Sequence, residues 1–320
     1  MARRAARTTL TVAALIGSGI AGLVFYEYRH DVARARARVG IGSQIAQTPC
    51  GPIEYAAAGN GPPVLIVHGA GGGFDQGMAF GEALTDRFHA IAMSRFGYLR
   101  TPLPADASAQ AQADAHACLL DALDIKQAAV IGASAGAPSA MQFALRHPER
   151  TKALILMVPA TYVPRPDNAP SVTPAPLTEF LSNTALRSDF LFWAAIKLAR
   201  DTVIRAILAT PPELIKNAAA DERARIQRIL DLILPVSARR LGLINDGAIC
   251  STLPRYDLER ITAPTLAISV ADDLFGTFDG ARYTAEHIPG ARFIGYPSGG
   301  HVWVGHQNDV VAKITRFLDR

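Results

Sequence analysis

The chain has 320 residues, 49% hydrophobic and 19% charged, an ordinary globular balance that excludes a largely disordered protein and leaves material for a large core. The formal charge of +4 does not indicate a nucleic-acid surface. Much of the excess sits in Arg3, Arg4, Arg7, Arg29, Arg34, Arg36 and Arg38, and the remainder is close to neutral. Cys50, Cys118 and Cys250 form neither a Cys-x-x-Cys pair nor a Cys/His cluster with zinc spacing. No metal site is therefore expected; the odd count leaves room for one bridge at most, and each cysteine reads as a small buried hydrophobe.

The first element is the uncharged run "TTLTVAALIGSGIAGLVFY", Thr8 to Tyr26. As a helix it would be about 28 Å long, enough to cross a hydrocarbon core. Residues 1–38 are thus expected to be a single membrane-anchor helix. A cleaved signal is the alternative, because Ala33-Arg34-Ala35 and Ala35-Arg36-Ala37 have the small-x-small form, and cleavage would leave a secreted or periplasmic protein. A buried core helix would need a polar face, and the run offers only Thr, Ser and Gly. Arginines on both flanks leave the orientation open. The following "HDVARARARVGIGSQ" reads as a basic linker.

Beyond it, short apolar runs alternate with longer amphipathic ones, the pattern of β-α units feeding a mostly parallel sheet with helices on both faces. Strands are expected at Val64–Val67, Ala90–Met93, Ala128–Ile131, Leu154–Val158, Thr265–Val270 and Arg292–Tyr296. A helix is expected over "SAMQFALRHPERTKA", stopped by Pro148. From Pro159 to Pro176 six prolines exclude a regular helix or a central strand. The segment after them is helical by periodicity. The α/β core is accordingly assigned to residues 49–158 and 251–320, with a helical cap at 159–250.

In a parallel sheet, ligands bind at the carboxyl ends of the strands. There stands "VIGASAGAPSA", with Ser134 between an apolar strand and a helix that begins near Pro138. Such a strand-turn-helix setting exposes the serine hydroxyl above the sheet, and Gly132 and Gly136 keep the turn clear of its neighbours. A serine nucleophile needs a base, an orienter and oxyanion donors. His301 in "YPSGGHVWVGH" is the candidate base, ahead of His306, which is expected to fall inside the following helix. Asp272, at the end of another strand, is favoured as the orienter, with the adjacent Asp273 as the alternative. Backbone N–H groups of Ala135 and of Ala70 in "HGAGGG", with Gly71 as a neighbour candidate, would hold the oxyanion. The glycine-rich loop lacks the lysine and spacing of a phosphate cradle.

The segments "VLIVHGAGGG", "VIGASAGAPSAMQFALRHPERTKALILMVPA", "LERITAPTLAISVADD" and "YPSGGH" resemble those of α/β-hydrolase fold proteins. The resemblance covers Pro49 to Arg320 and implies nucleophile Ser134, acid Asp272, base His301 and oxyanion donors Ala70 and Ala135. It also implies that the insertion after Val158 is a cap. The nearest-looking branch holds cofactor-free esterases, perhydrolase-type haloperoxidases and carbon-carbon bond hydrolases. One departure is "MSRFGYLRTPLP", with Ser94 where such proteins often carry Asp. That motif mainly stabilises a loop.

The expected activity is hydrolysis of an apolar small-molecule ester through an acyl-enzyme, with no cofactor and no metal. Carbon-carbon hydrolysis and perhydrolysis are the alternatives on the same triad. Outside enzymes, the alternative is a ligand-binding protein on the same scaffold. Phe190, Phe192 and Trp193 in "FLFWAAIKL" are candidate pocket residues; core packing is their competing role. The sequence leaves the natural substrate and the oligomeric state open.

Overall fold

The structure is a computed structural model and describes residues 2–164 and 186–319, with side chains in the first helix described at position 15 and from position 17 onward. Helix α1 (Ala2–Gly40) leads into an antiparallel hairpin, β1 (Gln44–Thr48) and β2 (Gly51–Ala58). Then β3 (Pro63–Val67), α2 (Phe74–Gly81), β4 (His89–Met93), α3 (Ala109–Ala122), β5 (Ala128–Ala133), α4 (Ala137–Arg146) and β6 (Thr151–Met157) follow. Between β6 and β7, in the stretch expected as the cap and called so below, lie α5 (Asp189–Leu198), α6 (Arg200–Ile207), α7 (Pro212–Lys216), α8 (Ala220–Leu232) and α9 (Arg240–Ser251). The chain closes with β7 (Thr265–Val270), α10 (Thr277–His287), β8 (Arg292–Tyr296) and α11 (Gln307–Leu318).

The eight strands form one sheet in the order β1-β2-β4-β3-β5-β6-β7-β8, parallel from β4 onward. Strand alternation sends Leu65, Val67 and Val130 to one face, where they pack with Leu119, Leu120 and Phe143 of the α3–α4 layer. Val64, Ile66 and Ile131 face the opposite side with Val310 and Ile314 of α11. Both faces are thus covered, as a parallel sheet requires, and all six predicted strands are present. The β1–β2 hairpin has no counterpart among the predicted elements. Most of the side chains of β1 are at least partly exposed, so it carries no apolar run.

Among the described residues no helix is long and apolar enough to cross a membrane. Much of the run from 8 to 26 lies outside the described side chains. The segment after it departs from the expected linker: it is the C-terminal part of α1, and it packs on the cap. Val32 and Ala35, one turn apart, are buried, and Ala35 joins the apolar core of the cap. The Trp193 indole donates to Asp31 at 2.9 Å, Arg36 donates to Asp189 at 3.1 Å, and Arg38 donates to the Leu234 carbonyl at 2.5 Å.

The cysteines also depart from expectation. Cys50 and Cys118 form a disulfide that ties the β1–β2 turn to α3, while Cys250 is free. Burial pushes the Cys250 thiol up to about 11, so the protonated form prevails at neutral pH.

Candidate active site

Strand β5 runs straight into Ser134, which takes a φ of +48°. A non-glycine residue in that left-handed region is strained, and strain of this kind persists only when the surroundings over-determine it. Here they do. A Cβ on Gly132 would lie 2.6 Å from Ala140 Cβ, and one on Gly136 would lie 2.5 Å from the His68 and Val67 carbonyl oxygens. Both glycines are therefore sterically required, and α4 follows at once with Pro138 in its first turn.

The sheet brings Ser134 and His301 together across 167 positions: Ser134 Oγ lies 2.9 Å from His301 Nε2. The other ring nitrogen, Nδ1, lies 2.8 Å from Asp273 Oδ2. A carboxylate only accepts, so Nδ1 carries the proton and Nε2 is free to accept from the serine hydroxyl. Asp273 is fully buried and accepts further from the Phe275 N–H at 2.9 Å and from the Thr277 hydroxyl.

The favoured orienter, Asp272, is thereby corrected to its neighbour. After β7 the chain turns so that the Asp273 N–H donates back to the Val270 carbonyl at 3.3 Å, which swings Asp273 toward His301. Asp272 points the other way. It accepts from the Ser298 hydroxyl at 2.8 Å and from the N–H groups of Gly299 and Gly300 at 2.9 and 2.7 Å. Asp272 therefore braces the loop that carries His301. His306 is not at the serine; its Nε2 lies 2.8 Å from the Ser298 carbonyl.

The loop after β3 borders Ser134, with a Cβ on Gly69 falling 3.1 Å from Ser134 Cβ. Three of its backbone N–H groups are engaged. Gly69 N–H donates to Gln76 at 3.1 Å, Gly71 N–H to the Tyr98 hydroxyl at 3.2 Å and Gly72 N–H to the Gly69 carbonyl at 3.3 Å. Gly71 is thus engaged, which leaves Ala70 as the expected partner of Ala135. His68 at the head of the loop is neutral: burial, reinforced by the Arg95 guanidinium, holds its imidazole well below the usual range. Accordingly its Nε2 accepts the Arg95 N–H at 3.0 Å.

The departure at Ser94 has a structural answer. Ser94 donates to the buried Glu54 carboxylate of β2 at 2.9 Å and accepts the Phe74 N–H at 3.1 Å. Glu54 also accepts from Arg100 Nε at 2.7 Å. A carboxylate is present beside this loop, supplied by a neighbouring strand.

Ser134, His301 and Ala70 open onto a cavity of about 340 Å³ between sheet and cap, within the usual range for small-molecule sites. Its walls are chiefly apolar, with Met157, Phe192, Leu208, Ile229, Ile233 and Trp303 among them. Of the three aromatic pocket candidates only Phe192 lines it. Phe190 and Trp193 face α1, with ring centroids 5.1 and 5.7 Å from Tyr28. Trp303 and Phe275, which sequence reasoning missed, stand on loops without periodicity. Among the described residues no group of three His, Cys, Asp or Glu could hold a metal ion.

Residues 62–304 match the family model described as alpha/beta hydrolase fold. An uncharacterized hydrolase, YcgS, of Bacillus subtilis is 26% identical over 268 residues, 80% of this chain and 91% of that protein. A 2-hydroxymuconate semialdehyde hydrolase of Pseudomonas putida is 39% identical over 104 residues, 31% of this chain and 37% of that one. Among solved structures, an alpha/beta hydrolase fold protein from Nakamurella multipartita superposes with a TM-score of 0.66 at 28% identity. That likeness covers 86% of this chain and 98% of the other.

Proposed function

Because the chain belongs to the alpha/beta hydrolase fold family and is a hydrolase, we propose that it cleaves the carboxylic ester of an apolar acyl group through an acyl-enzyme on Ser134. The continuous hydrogen-bonded line from Ser134 through His301 to the buried Asp273 carries this reading. His301 takes the serine proton as Oγ attacks the acyl carbonyl, and Asp273 holds the resulting imidazolium in place. The N–H groups of Ala70 and Ala135 stabilise the tetrahedral oxyanion. Protonated His301 then gives its proton to the leaving alcohol, and water activated by the same imidazole releases the acid.

The apolar cavity supports an aliphatic or aromatic acyl chain. Arg225 borders it but is committed to Glu222 at 2.7 Å and the Val302 carbonyl at 2.6 Å. No free cation among the described lining residues is therefore offered to an anionic substrate, which favours a neutral ester over a carboxylated diketone. The Pseudomonas putida relative is what keeps carbon-carbon hydrolysis as the second reading. A series of 4-nitrophenyl esters of increasing chain length tests the proposal. Turnover is expected to favour medium chains and to fall roughly a million-fold in Ser134→Ala; equal rates in both proteins contradict it.

We also propose that residues 8–26 rest in a lipid bilayer. Leu15, Ile20, Leu23, Phe25 and Tyr26 are exposed around the helix, an apolar surface that lipid would cover. Sedimentation of the full chain with phospholipid vesicles, lost on deletion of residues 1–26, is the expected result; equal sedimentation of both forms contradicts it.

A further inference from the structure

Asp246 lies in the cap, on α9, and its carboxylate is buried against the catalytic core. Both oxygens receive Arg95, at 2.6 Å from each of the two terminal guanidinium nitrogens. The Tyr98 hydroxyl donates to the same carboxylate at 2.5 Å. Burial and that carboxylate push the Tyr98 phenol well up, so the hydroxyl stays protonated.

What Arg95 and Tyr98 do with their other bonds matters more. Arg95 Nε donates to the His68 carbonyl at 2.9 Å and a terminal nitrogen donates to the Gly69 carbonyl at 3.3 Å. The Tyr98 oxygen accepts the Gly71 N–H at 3.2 Å. These contacts fall immediately before and immediately after Ala70. The peptide whose N–H is to bind the oxyanion is therefore held on both sides by two side chains fixed to one carboxylate of the cap. α9 and the Tyr98 segment are themselves in close register. The Gly242 N–H donates to the Gly97 carbonyl at 2.9 Å, and a side chain at Gly242 would collide with the Tyr98 ring.

We propose that Asp246, Arg95 and Tyr98 are positioning residues that let the cap set the direction of the Ala70 N–H, and hence the strength of the oxyanion site. This rests on the hydrolase reading of Ser134. Fixed donors aimed at developing charge work only when their direction is held in advance. A cap that merely roofed the substrate would have no need of a buried carboxylate serving this loop.

The test uses the full-length protein with Tyr98→Phe and Asp246→Asn, active sites being counted by stoichiometric fluorophosphonate labelling. The substrate is a 4-nitrophenyl ester accepted by the wild type. The kcat per labelled site is expected to fall about 10- to 100-fold, less than the loss of a whole oxyanion donor, with KM within about twofold. Affinity for an alkyl boronic acid, which becomes tetrahedral on Ser134, should weaken by a similar factor. Asp189→Asn, which disturbs a different buried carboxylate of the cap bonded to Ser237 and Arg36, should leave kcat per labelled site unchanged. Should Asp246→Asn not fold, Tyr98→Phe alone decides. Unchanged kcat per site in Tyr98→Phe, or a change confined to KM, overturns the proposal. Failure of Ser134 to label or to matter for turnover would instead overturn the hydrolase reading beneath it.

Discussion

The sheet and the seam between sheet and cap are built from opposite materials. In the sheet, alternating aliphatic side chains fill two apolar layers, and Ser134 stands where it does because β5 ends there. Along the part of the seam beside the loop after β3, next to the apolar cavity, the contacts are charged: Arg95 with Asp246, Arg239 with Asp75, and Arg38 from α1 beside the same Asp75. Apolar layers tolerate small changes of volume gradually, whereas a buried ion pair fails abruptly when one partner is removed. The proposed nucleophile is thus placed by the robust part of the molecule and the proposed oxyanion loop by the sensitive part.

The largest effect that sharpens the contrast involves the two adjacent aspartates. Asp273→Asn should lower kcat by roughly 10⁴-fold, because an amide in place of the carboxylate favours the wrong imidazole tautomer. Asp272→Asn should cost far less, since Asp272 touches the loop backbone and not the imidazole. Steady-state rates of the two variants, with equal folded fractions confirmed by circular dichroism, separate the roles.

Next come the stability effects. Arg239 is fully buried and donates to the Asp75 carboxylate at 2.7 Å and to the Gly72 carbonyl at 2.5 Å. Arg239→Met leaves Asp75 short of its principal buried partner and should destabilise the fold by about 3–5 kcal/mol. In the sheet, Ile131→Val should cost only about 0.5–1.5 kcal/mol. Urea unfolding of both variants measures the difference; similar losses would erase the distinction between core and seam.

Most of this seam was illegible in the sequence, for a physical reason. Strands such as Val64–Val67 announce themselves because burial on both faces demands a local apolar run. Ser134 was legible because it follows such a run, and His301 because it stands in a glycine-containing loop after the expected strand Arg292–Tyr296. The Arg95–Asp246 pair joins residues 151 positions apart with no periodic signature, and the Cys50–Cys118 bridge spans 68. Asp272 and Asp273 are neighbours at one strand end, so counting from the strand could not separate them. What separates them is tertiary: Asp273 meets His301, and Asp272 meets Ser298, Gly299 and Gly300. Phe190 and Trp193 were equally ambiguous, because an apolar helix face does not say whether it meets a substrate or, as here, the Tyr28 ring of α1.

The last effect concerns pH. His116 is buried against Ser139, its Nε2 3.1 Å from the hydroxyl, and burial, with Arg95 adding to it, holds its imidazole down to about 3. An unfolded chain takes up that proton near its ordinary pKa of about 6.5. The stability supplied by neutral His116 is therefore complete above that value and is lost as pH falls toward 3. His116→Gln should flatten the dependence of the urea midpoint on pH between 6.5 and 4 by about one bound proton. An unaltered slope would count against a neutral His116 in the fold.

The central claim is that Ser134 is a nucleophile activated through His301 by Asp273. It is tested most directly by intact-protein and peptide mass spectrometry after exposure to a fluorophosphonate. The account predicts a single adduct on the peptide carrying Ser134, formed at least a thousand-fold more slowly in His301→Ala. Labelling elsewhere, or equal labelling of the His301 variant, would contradict it.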